Sequence, residues 1–437
     1  MSGRNEPADL RPLQLFFLAA SVFVVSAGYG ALMPLLPAWL SQLMPESNAA
    51  EVARHVGFLS GAYAAGVLVG APIWGQIADR VGRPRILILG LVGYVTSLLL
   101  LLLPSMNGLW AIYALRAAAG LFVAAVVPLV PALVAAHTPQ ALRARRFAWL
   151  GAASLLGFLF GPGLNAVADA ISSLISSGAA LSLLSTRIVI VLSGALGASM
   201  MLGLALTLPA EGGGAESASA QPDPPDPGGK VALWCLSAAL MFVLSGFELG
   251  IVLQGKLHAD VSTREIALMF AECSLVMLGV NAILFFTSLL DKVPPRLVIA
   301  IGSLIGMAGL AMLAIHRINE WMYIGISLTA AGTGLVLPVI AFLAAGASRR
   351  TLGATMGGLA AAAGLGQTIG SAAGGWLFGA LAQAAFGWLM LPLLLTLILL
   401  LVRPAWWTAP AGSPGAITPA VSQALASGES IRGKGAT

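Results

Sequence analysis

The sequence predicts an all-α integral membrane protein, with twelve transmembrane helices in two six-helix pseudo-repeats. Three observations carry that prediction. Of 437 residues, 58% are hydrophobic and 9% charged, too few charges to cover a water-soluble domain of this length. The apolar residues gather into twelve runs, most near the roughly 20 residues that cross a bilayer. The basic residues between the runs alternate in density from loop to loop, as orientation in a membrane requires.

In chain order the runs are Leu13–Leu40, Val56–Ala78, Ile86–Leu103, Leu109–Ala135, Phe147–Val167 and Ile188–Leu208, then Val231–Leu253, Ile266–Leu290, Leu297–Ile315, Trp321–Ala345, Ala354–Leu381 and Phe386–Val402. The first is too long for the apolar region of a signal peptide and is expected to stay as a span. Ala168–Arg187, rich in Ser and Leu, is neither clearly loop nor clearly span, and Asp169 is expected to be a loop acid. Between spans six and seven, Gly, Ser and Pro dominate Glu211–Lys230, which cannot bury a core and reads as a flexible linker. The organisation is therefore a cytoplasmic N-terminal tail (1–12), an N-terminal six-helix bundle (13–208), a cytoplasmic linker (209–230), a C-terminal six-helix bundle (231–403) and a disordered cytoplasmic tail (404–437).

With both termini inside, sixteen basic residues fall on the cytoplasmic side and five on the outer side. Arg116 within the membrane completes the 22 Lys and Arg. The excess fixes the orientation. It also explains a pI near 9.6 without nucleic acid, because the basic residues sit in short loops rather than in one patch. Cys235 and Cys273 lie in apolar segments and read as small hydrophobes, not as a disulfide framework. His55, His137, His258 and His316 all fall in the expected loops, so a histidine proton relay is not expected. Near the end of the tail, Gly428-Glu-Ser-Ile-Arg-Gly433-Lys434 imitates a phosphate loop, but Gly435 stands where Ser or Thr is required. No nucleotide, metal or cofactor is expected, so an ion or substrate gradient must supply the energy.

Two features recur at almost one offset. Asp79-Arg80 and Asp291-Lys292 lie 212 residues apart, and Gly157-x-x-x-Gly161-Pro162 is echoed by Gly366-x-x-x-Gly370-Ser371 after 209. Together they point to an internal duplication. The most specific segment is Gly75-Gln-Ile-Ala-Asp79-Arg80-Val-Gly82-Arg83 between spans two and three. It resembles the signature loop of the major facilitator superfamily of secondary transporters. That resemblance implies two bundles that rock about a central cavity by alternating access. It also implies that the loop is a conformational latch, with Asp79 facing the start of span eleven near Arg349 to Gly353 and Gly75 and Gly82 permitting close approach or unusual dihedrals.

Three span motifs narrow the resemblance to the twelve-span drug:proton antiporters. Gly30-x-x-x-Pro34-x-x-Pro37 in span one has two prolines that each remove a backbone donor and loosen the outer helix end. Arg116-x-x-x-Gly120 in span four resembles that family's membrane-embedded arginine, with Ala119 where a glutamine is common. Gly157, Gly161 and Pro162 in span five resemble the antiporter motif, although Asn165-Ala166 replaces its Gly-Gly pair. Small residues four apart share a face and let helix backbones touch.

Glu248 and Glu272 in spans seven and eight are acids at membrane depth, near the level of Arg116, and either is a candidate proton carrier. Ser237, Met241, Ser245 and Glu248 share one face of span seven, the expected pore lining. Tyr29, Tyr63, Phe247, Asn165, Ser245, Asn281 and Gln367 are candidate cavity residues. No catalytic residue is expected, since no nucleophile–base or metal cluster is recognisable. The expectation is proton-coupled efflux of a small drug-like molecule, or of a secreted metabolite such as a siderophore, by a monomer in the inner membrane. A proton-coupled importer and a non-transporting membrane sensor or scaffold are the alternatives.

Overall fold

The computed structural model describes residues 10–103, 108–138, 140–175, 180–208, 227–257, 261–287, 293–315, 319–345 and 352–403. Among these residues the structure is helical throughout, without strands. The first half comprises α1 (Pro12–Leu32), α2 (Leu36–Leu43), α3 (Ala49–Val81), α4 (Arg83–Leu100), α5 (Leu109–Val123), α6 (Leu129–Ala136), α7 (Gln140–Ile175) and α8 (Ala180–Thr207). The second comprises α9 (Pro227–Leu257), α10 (Thr263–Thr287), α11 (Pro295–Ile315), α12 (Asn319–Ala345), α13 (Leu352–Leu381), α14 (Ala385–Trp388) and α15 (Met390–Val402).

Ten stretches of the described residues are long and apolar enough to cross a membrane. Two details reconcile ten with twelve. Gly357–Val402 is counted as one stretch of 46 residues, about 69 Å of helix and more than twice a hydrocarbon core. A 3-10 turn at Ala382–Ala384, with Ala382 at φ 49°, divides it into two passes. Leu109–Ala135 fails the length test because it is two helices. Pro128 has no N–H for the carbonyl of Ala124 and crowds it, so the chain unwinds over Ala124–Pro128. In span one, Pro34 and Pro37 similarly insert a 3-10 turn between α1 and α2. Side chains such as Leu174, Phe286 and Leu401, each more than 80% exposed at 87%, 81% and 82%, form an apolar exterior that only acyl chains can cover. The protein is a multi-pass membrane protein.

Three sequence expectations are corrected. Ala168–Arg187 is helical on either side of 176–179, so Asp169 lies inside α7 and accepts a hydrogen bond from Ser185 of α8. The serines there do not break the helix. Ser172 and Ser173 turn their hydroxyls onto the carbonyls of Asp169 and Ala170 in their own helix. His55 lies within α3, not in a loop, because Asn48 caps that helix well before Val56, accepting the Glu51 N–H at 2.9 Å. The linker ends earlier than residue 230, since α9 begins at Pro227, a residue suited to a first helical position. Residues 209–226 and 404–437, His258, His316 and Asp291-Lys292 lie outside the described residues.

Within the first half α1 packs on α7 and α8, and α5 on α3 and α4; within the second α9 packs on α13, and α12 on α10 and α11. Two seams join the halves, α3 against α13 and α7 against α10. In span numbers these are two-to-eleven and five-to-eight, which a six-span duplication exchanges with each other.

The α3–α13 seam is closed at one end only. A Cβ on Gly57 would stand 2.6 Å from Gly375 Cα and 2.7 Å from the Ser371 carbonyl oxygen, and one on Gly379 would stand 2.7 Å from that of Ala50. Farther along, Gly364 meets only the Leu68 side chain and backbone, 3.2 Å away at nearest, and Gly75 and Gly357 have nothing within 4 Å. The helices touch where α3 begins and α13 ends, then diverge. Lipid tails give apolar helices no reason to associate, so such close small-residue packing holds the end shut.

Candidate functional site

Arg116 on α5 is buried, 2% exposed, and its guanidinium lies 4.8 Å from the centroid of the Tyr63 ring on α3. The glycine in its motif explains the approach. Any side chain on Gly120 would strike the Tyr63 carbonyl, and any on Gly66 would strike that of Ala117. With those glycines the helices nest and Arg116 comes over an aromatic face, a favourable site for a desolvated cation. Nε and Nη2 of Arg116 have no hydrogen-bond partner. The arginine does not snorkel to the surface.

Tyr63 passes the contact on. Its ring centroid is 5.3 Å from that of Tyr29 on α1, which in turn meets Phe158 of α7 edge-on at 5.5 Å. Tyr29 and Glu248 of α9 lie within electrostatic range of each other. A row of side chains therefore runs from Arg116 through two tyrosines in the first half to a carboxylate in the second. Beyond Glu248, Cys273 on α10 lies within electrostatic range of both Glu248 and Glu272. Glu272 accepts a hydrogen bond from Ser327 of α12, while its other oxygen is buried without a partner.

The glycine motifs position this row. A Cβ on Gly161 would stand 2.6 Å from the Gly30 carbonyl carbon, and one on Gly157 would stand 2.8 Å from Ser26 Cβ. Gly30 in turn faces the Phe158 carbonyl at 3.1 Å, which Pro162 deprives of its helical donor. The first-span and fifth-span motifs are thus two sides of one contact. In the second half Gly366 and Gly370 pack against the α9 backbone at Ala238 and Phe242, so spans five on one and eleven on seven repeat the arrangement.

Other expected residues fall elsewhere. Ser237 and Ser245, expected to line the pore, donate to the carbonyls of Leu359 and Gln367 on α13 at 3.4 and 3.2 Å and are buried. That part of the face packs on α13, because a serine hydroxyl in a tight helix contact bonds a neighbouring carbonyl. Gln367 contributes its backbone to the same contact. Asn165 is buried, with neither amide atom paired. Asn281 donates to its own helix at the Met277 carbonyl.

In the charged loop, Gly82 takes φ 104°, which an L side chain rarely adopts, and so turns α3 sharply into α4. Arg83 reaches Asp79 at 3.8 Å and donates to the Ala132 carbonyl of α6 at 3.2 Å. Asp79 and Arg80 are exposed. Gly75 makes no close helix contact, a correction that follows from the divergence of α3 and α13. Arg349–Thr351, the expected latch partner region, lies outside the described residues. Ser327 escaped the sequence reading, and Cys273 was read only as a small hydrophobe; a lone hydroxyl or thiol in an apolar span gives no signal until a carboxylate is placed beside it. Among the described residues no three His, Cys, Asp or Glu gather as a metal site.

The family model for the Major Facilitator Superfamily matches residues 18–283, more than half of the chain. The chain belongs to the major facilitator superfamily. This major facilitator protein is 34% identical over 145 residues to the class B tetracycline resistance protein of Escherichia coli, covering 33% of this chain and 35% of that one. It is 26% identical over 152 residues to the quinolone resistance protein NorA of Staphylococcus aureus, covering 35% and 37%. The matched stretch spans about a third of these curated relatives. In fold it is similar to the human organic anion transporter MFSD10 (TETRAN), with TM-score 0.68 at 19% identity over 89% of this chain and 100% of that one. It is also similar to the xylose transporter XylE from E. coli, with TM-score 0.69 at 14% identity over 90% and 97%. Arg116, Tyr63, Tyr29, Glu248 and Glu272 all fall within the matched residues of this major facilitator protein.

Proposed function

We propose that this protein is a secondary active transporter that exports a small drug-like molecule, or a secreted metabolite such as a siderophore, in exchange for protons. The observation that carries this reading is a carboxylate at membrane depth, Glu248, within electrostatic range of Tyr29 in the other half, with Arg116 buried against Tyr63 behind it. A carboxylate at membrane depth is costly to keep charged and cheap to neutralise by a proton, so a mobile interface is where it does work. Kinship with tetracycline and quinolone resistance proteins supports export over import.

Both termini are assigned to the cytoplasm of the inner membrane by the excess of basic residues on that side, and the working unit is a monomer of two six-helix bundles. With that orientation the closed end of the α3–α13 seam is outermost, and the structure is the cytoplasm-facing state. The proton enters at Glu248 or Glu272 when the outer end opens, substrate leaves, and the proton is lost inward. A panel of amphiphiles in proteoliposomes with an imposed pH gradient tests this. Movement of at least one solute against proton flow is expected, and a flat response across the panel turns the reading toward a sensor or scaffold.

Asp79 is exposed in this state. We expect Asp79→Asn to favour the cytoplasm-facing state roughly two- to fivefold, the worth of one carboxylate at a helix N-terminus. Thiol labelling at Gly357→Cys from the cytoplasmic side reads the change. Unchanged labelling argues against a latch.

A further inference from the structure

We propose that the first bundle holds an anionic phospholipid at the end where α1 and α7 enter the membrane. Its phosphodiester sits on Arg146, and the start of an acyl chain lies in the apolar groove between α1, α6 and α7. The assignment depends neither on the direction of transport nor on which residue carries the proton.

The groove, of about 250 Å³, is lined by Leu15 and Phe16 of α1, Val134 of α6, and Arg146, Trp149 and Leu150 of α7. Its depth follows from where the spans begin. The apolar stretches of α1 and α7 that can cross a membrane start at Pro12 and Trp149, so the groove straddles the boundary between headgroups and acyl chains. Phe16 and Trp149 are 60% and 66% exposed, and a large ring left uncovered by protein at this depth meets lipid. Among the described residues Arg146 is the only charged side chain lining the groove. Its Nη1 donates to Thr138 Oγ1 at 2.6 Å, and Thr138 donates to the Val134 carbonyl, which ties the guanidinium to the end of α6.

The charge fits an anion. Neither α1 nor α6 carries Asp or Glu, and α7 has none before Asp169, whereas Arg143, Arg145 and Arg146 all fall near its start. This end of the helix is therefore net positive, the pattern that draws anionic headgroups. A guanidinium is planar and matches the oxygens of a phosphate. Phosphatidylcholine carries its own cation beside the phosphate and phosphatidylglycerol carries none, so the arginine selects the second. A soluble anion gains from the arginine but nothing from the apolar wall, which favours a headgroup with a chain attached.

The test needs no substrate. The full-length chain is reconstituted in vesicles of equal parts phosphatidylglycerol and phosphatidylcholine, with chains brominated close to the glycerol on one lipid and then on the other. The Trp149 signal is the fluorescence difference between the parent and Trp149→Phe. Bromine on phosphatidylglycerol should quench it more, as for an enrichment of about fivefold, the worth of one arginine at a membrane surface. Arg146→Gln should bring the two labels to equality, while Arg85→Gln, at an exposed arginine outside the groove, should leave the preference intact. Inorganic phosphate, added at constant ionic strength, should not displace the lipid. Equal quenching by both labels in the parent overturns the site, and that comparison stands even if Arg146→Gln fails to fold. A preference retained in Arg146→Gln, or lost equally in Arg85→Gln, assigns it to diffuse surface charge, and loss on adding phosphate assigns it to a soluble anion; each of these overturns the proposal.

Discussion

Glu248→Gln is expected to reduce proton-driven efflux to the level of empty liposomes while substrate counterflow persists. Glutamine keeps the volume of the side chain and a hydrogen-bonding oxygen, so the local packing is retained. What it removes is the ability to change charge. Counterflow exchanges one substrate for another and consumes no proton, and the rocking of the two halves that it needs survives a permanently neutral side chain. Net transport against a gradient requires the charge to appear on one side and vanish on the other, which an amide cannot do. Measurement in proteoliposomes, with and without an imposed pH gradient, separates the two. Full gradient-driven activity would remove Glu248 from the scheme and transfer the role to Glu272, whose second oxygen is buried and unpaired.

Gly57→Leu is expected to abolish both modes, because it acts on the gate and not on the proton. At this position the α13 backbone is already 2.6 Å from where a Cβ would sit. Backbone cannot turn aside as a side chain can, so the clash is relieved only by separating the helices. Overpacking of this kind costs about 1–3 kcal/mol, which is roughly five- to 150-fold in the balance between closed and open outer ends. The variant should therefore accumulate in the outward-open state. A cysteine at Ser371, 2% exposed in the closed seam, should then react with a membrane-impermeant thiol reagent added outside, in a background with Cys235 and Cys273 replaced. Protection of Ser371→Cys equal to that in the parent would show that the seam tolerates the side chain, and that the glycine contact is not the gate.

The legibility of the fold varied with the kind of signal. Span existence was plain in the sequence, since an apolar run must become a helix where no water can satisfy its backbone. Helix ends were less plain, because they depend on single capping or breaking residues. Asn48 started α3 well ahead of its apolar stretch, which brought His55 into the helix and within 2.9 Å of the Tyr113 hydroxyl. Pro128 broke span four where hydropathy alone ran straight through. Ser172 and Ser173 marked no boundary at all, because their hydroxyls found carbonyls in their own helix.

At the site, residue types were legible in the sequence but their partners were not. Arg116 and Glu248 were singled out as charges in apolar spans, and their rarity there was enough. Ser245 shared a face with Glu248 by helical spacing, yet spends its hydroxyl on α13. Tyr29, expected as a cavity residue, is buried between Tyr63 and Phe158.

By itself, then, the sequence determined the solvent, the twelve passes and the recurrence of the glycine motifs, because each follows from local pattern and from the absence of water in the bilayer. Only the tertiary structure decided which end of the α3–α13 seam is closed and which aromatic ring lies under Arg116. Those outcomes depend on how residues distant in the chain approach one another, and a helical wheel records the direction a side chain takes without recording what waits there.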